Sequence, residues 1–174
     1  MKEMKPPHDP IDALGQAYEM VLEKSLEGAQ RLEKRAGQRL HDMIDAVHEE
    51  VAAMSKLSRE QVPKIAEYLK RDLADAAHFL SETGKDLQDW WGFESVLLEE
   101  QLRDNFKRAA DQTTLELQEL NQKAQLAEYR TGEITGPGSL LCDACDEVLH
   151  FHKPGRIPPC PKCRGSRYHR RPID

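Results

Sequence analysis

Four cysteines, the only ones in the 174 residues, stand as two matched pairs: Cys142-x2-Cys145 and Cys160-x2-Cys163, with fourteen residues between them. Each pair presents two thiols from one tight turn, and two such turns facing each other complete a tetrahedron of sulfurs. That is the ligand set of a closed, structural zinc site. A thiol must lose its proton to bind zinc, so four thiolates on one dication leave a net charge of about −2. Lys162, Arg164 and the amides of the turns can offset it. All four coordination positions are filled by protein, which leaves none for a catalytic water. Cys142, Cys145, Cys160 and Cys163 therefore read as ligands of a structural Zn2+. Rubredoxin-like iron, an electron-transfer centre, takes the same kind of hooks. A redox dithiol needs one pair at a helix N-terminus in a thioredoxin-like setting, which is missing here.

The other residues able to do chemistry read more plainly. His150, His152 and His169 lie beside the hooks, but four cysteines already complete the ligand set. Alternation along residues 148–152 puts His150 and His152 on one strand face, solvated, and Leu149 and Phe151 on the other. Asp45-x-x-His48 and Asp75-x-x-His78 have the look of a di-iron bundle site. If the helices turn near residue 56, however, the two motifs sit ~21 Å apart along the bundle. Such sites also use Glu-x-x-His with inward glutamates, so these are surface residues. Trp90-Trp91 are core filling. Phosphate loops, nucleophile elbows and paired catalytic carboxylates are not visible in a convincing context. The chain is read as non-enzymatic.

These hooks need elements to position them. Before residue 130 the apolar residues follow helical steps of three and four: Leu14, Tyr18, Val21, Leu22, Leu26 and onward to Met54, then Val62, Ile65, Leu69, Leu73 and Ala76, then Leu97, Leu102, Phe106 and Ala109. Three helices are expected at about 12–55, 59–91 and 94–128, the first ~65 Å long at 1.5 Å per residue. Ser58-Arg59-Glu60-Gln61 has the form of a capping box, and Gly92 suits a left-handed helix end. Gly28 and Gly37 interrupt the first stripe and are read as tolerated. At Thr131 glycines and prolines crowd in and the helical period vanishes; residues 140–141, 148–152 and 167–170 are short strand candidates. The fold class is mainly α: an elongated antiparallel three-helix bundle or helical hairpin followed by a small β zinc ribbon. The expected divisions are a flexible leader over 1–11, a helical bundle or coiled-coil domain over 12–130 and a zinc-ribbon domain over 131–174, with separate cores.

The run Thr131-Gly132-Glu133-Ile134-Thr135-Gly136-Pro137-Gly138-Ser139-Leu140-Leu141-Cys142, with Cys160-Pro161-Lys162-Cys163 and Arg170-Arg171-Pro172, resembles a bacterial family of zinc-ribbon-containing proteins. The likeness is close over the tail and looser over the helices. It implies a helical N-terminal region, a C-terminal zinc ribbon and a bacterial cytoplasmic location, and it carries no activity with it. One departure stands out. Zinc knuckles usually place glycine after the second cysteine, where φ is positive; here Asp146 and Arg164 occupy those places.

Charge narrows the partners. Residues 1–131 hold 18 Lys/Arg against 26 Asp/Glu, so the helical part has no basic face for nucleic acid. The tail concentrates Lys153, Arg156, Lys162, Arg164, Arg167, Arg170 and Arg171 with Tyr168 among them. That cluster is the candidate contact for a partner, nucleic acid included. The leading expectation is a zinc-binding interaction or adaptor module with a protein partner. The alternatives are a nucleic-acid-binding or transcription-associated protein, and an iron electron carrier. No apolar run is long enough to span a bilayer and no secretory leader is visible, so a cytoplasmic location is expected. The long first stripe, residues 14–54, is expected to leave a seam for homo-oligomers.

Overall fold

The computed structural model describes residues 10–31, 40–55, 57–58, 60–120 and 127–170. Five helices come first: α1 (Pro10–Arg31), α2 (Leu40–Met54), α3 (Gln61–Thr83), the five-residue α4 (Leu87–Trp91) and α5 (Glu100–Leu120), with a 3-10 turn at Ser95–Leu97 before the last. Six short strands follow: β1 (Tyr129–Arg130), β2 (Ile134–Thr135), β3 (Gly138–Cys142), β4 (Val148–Phe151), β5 (Gly155–Arg156) and β6 (Arg167–Arg170). The expectation of a mainly α bundle followed by a β zinc ribbon holds. The division into helices differs from it.

The stripe over 12–55 is two helices. α1 and α2 pack side by side and antiparallel: Lys24 pairs with Glu50 at 2.9 Å, and further along a side chain on Gly28 would collide with Met43. Gly28 makes room for the flexible end of the Met43 side chain, which can shift, so the contact does not require glycine; Gly37 lies outside the described residues. The second expected helix is also split. Gly84, at φ +68°, ends α3 with its N–H on the Leu80 carbonyl, and Asp86 then caps α4 by accepting from Asp89 N–H at 3.2 Å. Gly92 closes α4 at φ +80° as expected. Half of the capping box forms: Gln61 Oε1 accepts from Ser58 N–H at 3.0 Å.

α1, α2, α3 and α5 surround one core. Their inward residues keep the three–four step, such as Leu40, Ile44, Val47 and Val51 on α2. Each buried aliphatic side chain contributes roughly 1.5–3 kcal/mol. Of the stripe expected to leave an oligomer seam, Leu40 and Val47 are buried in the bundle at 1% and 8% exposure, while Met54 at its end is 61% exposed and residues 32–39 lie outside the described residues. α4 sits at the bundle's edge and buries both tryptophans: Trp90 stacks on Phe106 with ring centroids 5.6 Å apart, and Trp91 tilts against the same ring. Of the expected leader, residues 1–9 lie outside the described residues, and Pro10 already opens α1.

The ribbon has two small sheets. One has strand order β1-β6-β3-β4 and the other pairs β2 with β5. Pairing is antiparallel throughout, with Cys142 opposite Tyr168 and Leu140 opposite Arg170. Bundle and ribbon each have an apolar cluster, and one ribbon residue crosses over to the bundle's. Ile134 belongs to the bundle's apolar cluster, while Tyr129, Leu140, Cys142, Ile157, Cys160 and Tyr168 form the ribbon's own.

Candidate metal centre

The two hooks are built alike. Cys142 ends β3, and the chain turns so that Asp146 N–H donates to the Cys142 carbonyl at 2.9 Å; in the second hook Arg164 N–H donates to the Cys160 carbonyl at 2.8 Å. The turns then close from the other side, with Cys142 N–H on Glu147 and Cys160 N–H on Gly165. This geometry requires a left-handed residue after each second cysteine. Asp146 and Arg164 supply it at φ 64° and 62°, the only non-glycine residues with positive φ among those described. The knuckle shape is thus kept without glycine, at a strain of roughly 1 kcal/mol per turn. Gly165 is needed for closeness: a side chain there would stand 3.1 Å from Cys142 Sγ and 3.2 Å from Cys163 Sγ.

The four sulfurs of Cys142, Cys145, Cys160 and Cys163 all lie within 4.8 Å of one another. The nearest pairs are Cys142–Cys163 at 3.5 Å and Cys145–Cys160 at 3.6 Å. Sulfurs ~2.3 Å from a tetrahedral zinc are about 3.8 Å from each other, so the spacing fits one ion. It is too long for a disulfide, whose sulfurs stand about 2.05 Å apart. The backbone prepares the site for negative charge. The amides of Cys163 and Lys162 pull the Cys160 thiol down to about 7. At Cys145 the amide of Glu147 favours the thiolate, but burial and the neighbouring sulfurs outweigh it and push that thiol up to about 12. Burial first, then the Cys160 and Cys142 sulfurs, hold Tyr168 up at about 12 as well.

The ribbon is seated on the bundle through a buried polar cluster centred on Asp72 of α3, which is fully buried. Asp72 accepts from Tyr18 Oη of α1 at 2.6 Å, from Gly136 N–H of the ribbon at 2.8 Å and from Arg71 Nε at 3.1 Å. Arg170, near the end of β6, reaches it at 3.6 Å, donates to Thr135 Oγ1 at 3.0 Å and to the Pro137 carbonyl at 3.2 Å, and lies 4.2 Å over the Trp90 ring. Arg71 in turn holds Glu133 and the Ile134 carbonyl, both at 2.9 Å, and Tyr129 donates to Asp75 at 2.5 Å. Burial works against the charge of Arg170, but Tyr129, Asp72 and Asp75 outweigh it and raise its pKa. Burial, then Asp72, raises the Tyr18 phenol well above its ordinary value. The fit is close elsewhere too: side chains added at Gly15 or Gly136 would collide with Pro154 or Tyr18.

Two of the eight residues expected at a partner surface are therefore turned inward. Arg170 neutralises Asp72, and Tyr168 is buried with its hydroxyl donating to the Pro158 carbonyl at 2.7 Å. Lys153, Arg156, Lys162, Arg164 and Arg167 are exposed, Arg156 with its Nε 3.4 Å from the Gly132 carbonyl. Arg171 lies outside the described residues. His150 and His152 both meet the edge of Phe93, with centroids 6.1 and 4.7 Å away, and His169 pairs with Asp143 at 2.6 Å. Of the di-iron motifs, Asp45 binds Lys70 at 2.7 Å and Asp75 accepts from Tyr129, and among the described residues neither belongs to a group able to hold a metal.

Sequence reasoning missed Asp72, Tyr18 and Arg71 as functional residues. A signal was present: Asp72 falls three residues after Leu69 and four before Ala76, on the inward stripe of α3. A carboxylate there must be paired. Among the described residues no helix is long and apolar enough to cross a membrane.

The chain is 30% identical over 145 residues to the uncharacterized protein YbeL of Escherichia coli strain K12, a match covering 80% of this chain and 88% of the relative. The YbeL proteins of the O6:H1 and O157:H7 strains match to the same extent. No solved structure matches. Residues 27–172 match the family described as a zinc-ribbon containing domain, a span that takes in most of the bundle as well as both hooks. Both knuckles and α2 to α5 fall within that span, and this chain belongs to that zinc-ribbon containing family.

Proposed function

We propose that this chain is a non-enzymatic interaction protein whose ribbon is held by one structural zinc ion on Cys142, Cys145, Cys160 and Cys163. The observation that carries the reading is the sulfur cluster itself, with four protein ligands inside 4.8 Å. A tetrahedral ion bound there has its shell completed by protein, which suits a structural and not a catalytic metal. Paired C-x2-C hooks that serve as metal ligands suit a reducing, cytoplasmic location. A protein partner is favoured over nucleic acid because the burial of Arg170 and Tyr168 removes a cation and the one interleaved aromatic from the tail's surface. Phosphate tracking relies on such cations, and single-strand binding on such stacking rings.

The test is crosslinking in cells with the full chain and with Cys145→Ser. A protein crosslinked by the first and not by the second supports the reading. Salt-dependent binding of the purified chain to DNA or RNA would replace it with the nucleic-acid reading, and turnover of a metabolite would overturn it.

A further inference from the structure

β6 belongs to two structures at once. At Tyr168 it lies opposite Cys142 and packs in the ribbon cluster with Cys160. Two residues on, Arg170 enters the bundle between Asp72 and Trp90. A four-residue strand cannot keep its hold on the bundle if its hold on the ribbon is released. The other seam runs the same way. β3 ends in Cys142, and three residues before it the buried Ser139 hydroxyl donates to the Trp91 carbonyl at 2.8 Å. Both strands that bear on the tryptophans are therefore tied to the hooks.

A second feature concerns what this docking leaves unsatisfied. Arg170 Nε, Trp90 Nε1 and Trp91 Nε1 are all buried with no acceptor among the described residues, and all three lie where ribbon meets α4. A buried donor without a partner is destabilising. Lifting the ribbon gives these donors to water, which offsets part of the free energy needed to separate ribbon from bundle.

We infer that metal occupancy at the four cysteines controls docking of the ribbon on the bundle. With the hooks held together, β3 and β6 seat Arg170 and Ser139 and cover Trp90 and Trp91. With the hooks released, the ribbon lifts, Arg170 withdraws from Asp72, and an aromatic face of α1, α3 and α4 around Tyr18, Trp90 and Trp91 is bared while the helices persist. The inference rests on the proposed metal binding and goes beyond it. The coupling is reciprocal by thermodynamic necessity: whatever loosens the docking also weakens the metal.

The two tryptophans are the only ones in the chain and both sit at this seam, so they report on it directly. Metal would be removed from the full-length protein with excess EDTA under reducing conditions, following tryptophan emission, acrylamide quenching and far-ultraviolet circular dichroism. The expected result is a red-shifted, more quenchable emission with the helical signal largely kept, reversed by added zinc. Unchanged emission after the four thiols have become reactive would overturn the inference while leaving metal binding intact. Collapse of the helical signal together with the emission would also overturn it, since the metal would then hold up the whole fold. Failure of the protein to bind zinc at all would remove both readings. In the reciprocal arm, Arg170→Gln weakens zinc in competition with a chromogenic chelator by about tenfold, within the usual span of coupling between sites. Ser139→Ala, a gentler change at the other seam, weakens it in the same direction. Affinities equal to the parent's in whichever variants fold would refute the coupling.

Discussion

Replacing Asp72 by alanine is the sharpest perturbation of the seat on which the ribbon rests. The carboxylate accepts from Tyr18 at 2.6 Å and Gly136 at 2.8 Å and faces the guanidinium groups of Arg71 and Arg170 at 3.1 and 3.6 Å. Arg71 keeps Glu133 when Asp72 is gone. Arg170 does not have a second carboxylate within ion-pair distance among the described residues, so its charge stays buried against aromatic rings and carbonyls. Breaking a buried pair from one side destabilises by about 3–5 kcal/mol, because the surviving charge is left uncompensated. We expect about 4 kcal/mol for Asp72→Ala, a large share of the ~5–15 kcal/mol that holds a domain folded. Urea unfolding of the zinc-loaded protein measures it; at a slope near 2 kcal/mol/M the midpoint falls by about 2 M. The double variant Asp72→Ala/Arg170→Met should cost well under the sum of its two single changes, since neither charge is then stranded. A loss below about 1 kcal/mol for Asp72→Ala, or strict additivity in the double variant, would refute the buried cluster.

Other outcomes follow from particular residues. Gly15→Val forces α1 away from the Pro154 carbonyl of the ribbon and should lower stability by about 1–3 kcal/mol in the same urea assay; an unchanged midpoint would mean the two do not touch. Arg164→Gly relieves a φ of 62° and should stabilise the ribbon by up to about 1 kcal/mol, read as slower release of zinc to a chelator. His41 is half-buried, and burial lowers its pKa below the ordinary 6.5 while Glu116 opposes. Its proton is therefore bound more readily by the unfolded chain, and stability present above that range is lost as pH falls through 6.5 toward the depressed folded value. His41→Gln should flatten the fall in thermal midpoint between about pH 7 and 5.5; parallel curves would contradict this.

How much of this was legible in the sequence depends on the range of the interactions. The hooks, Gly92 and the inward stripes of α2 and α3 are set by spacings of a few residues, and local periodicity conveys them. The split of the first stripe was hidden because α1 and α2 face the same core and keep the same step of three and four. The docking of the ribbon was hidden for a different reason. Asp72 and Arg170 are 98 residues apart, and an arginine in a basic tail looks like a surface charge until its partner is known. The knuckle strain at Asp146 and Arg164 is visible in the sequence as a departure from glycine. That the turns keep their shape regardless is a tertiary effect, since the sulfurs and the cross-turn amides overdetermine the backbone there.

The central claim is that four cysteines close around one structural zinc. Elemental analysis of the purified protein, with its visible spectrum, tests this most directly. We predict one zinc per chain, a colourless solution, and loss of the metal from each of the four Cys→Ser variants. A red protein containing iron, or a variant lacking Cys142 or Cys160 that retains a full complement of zinc, would contradict the account.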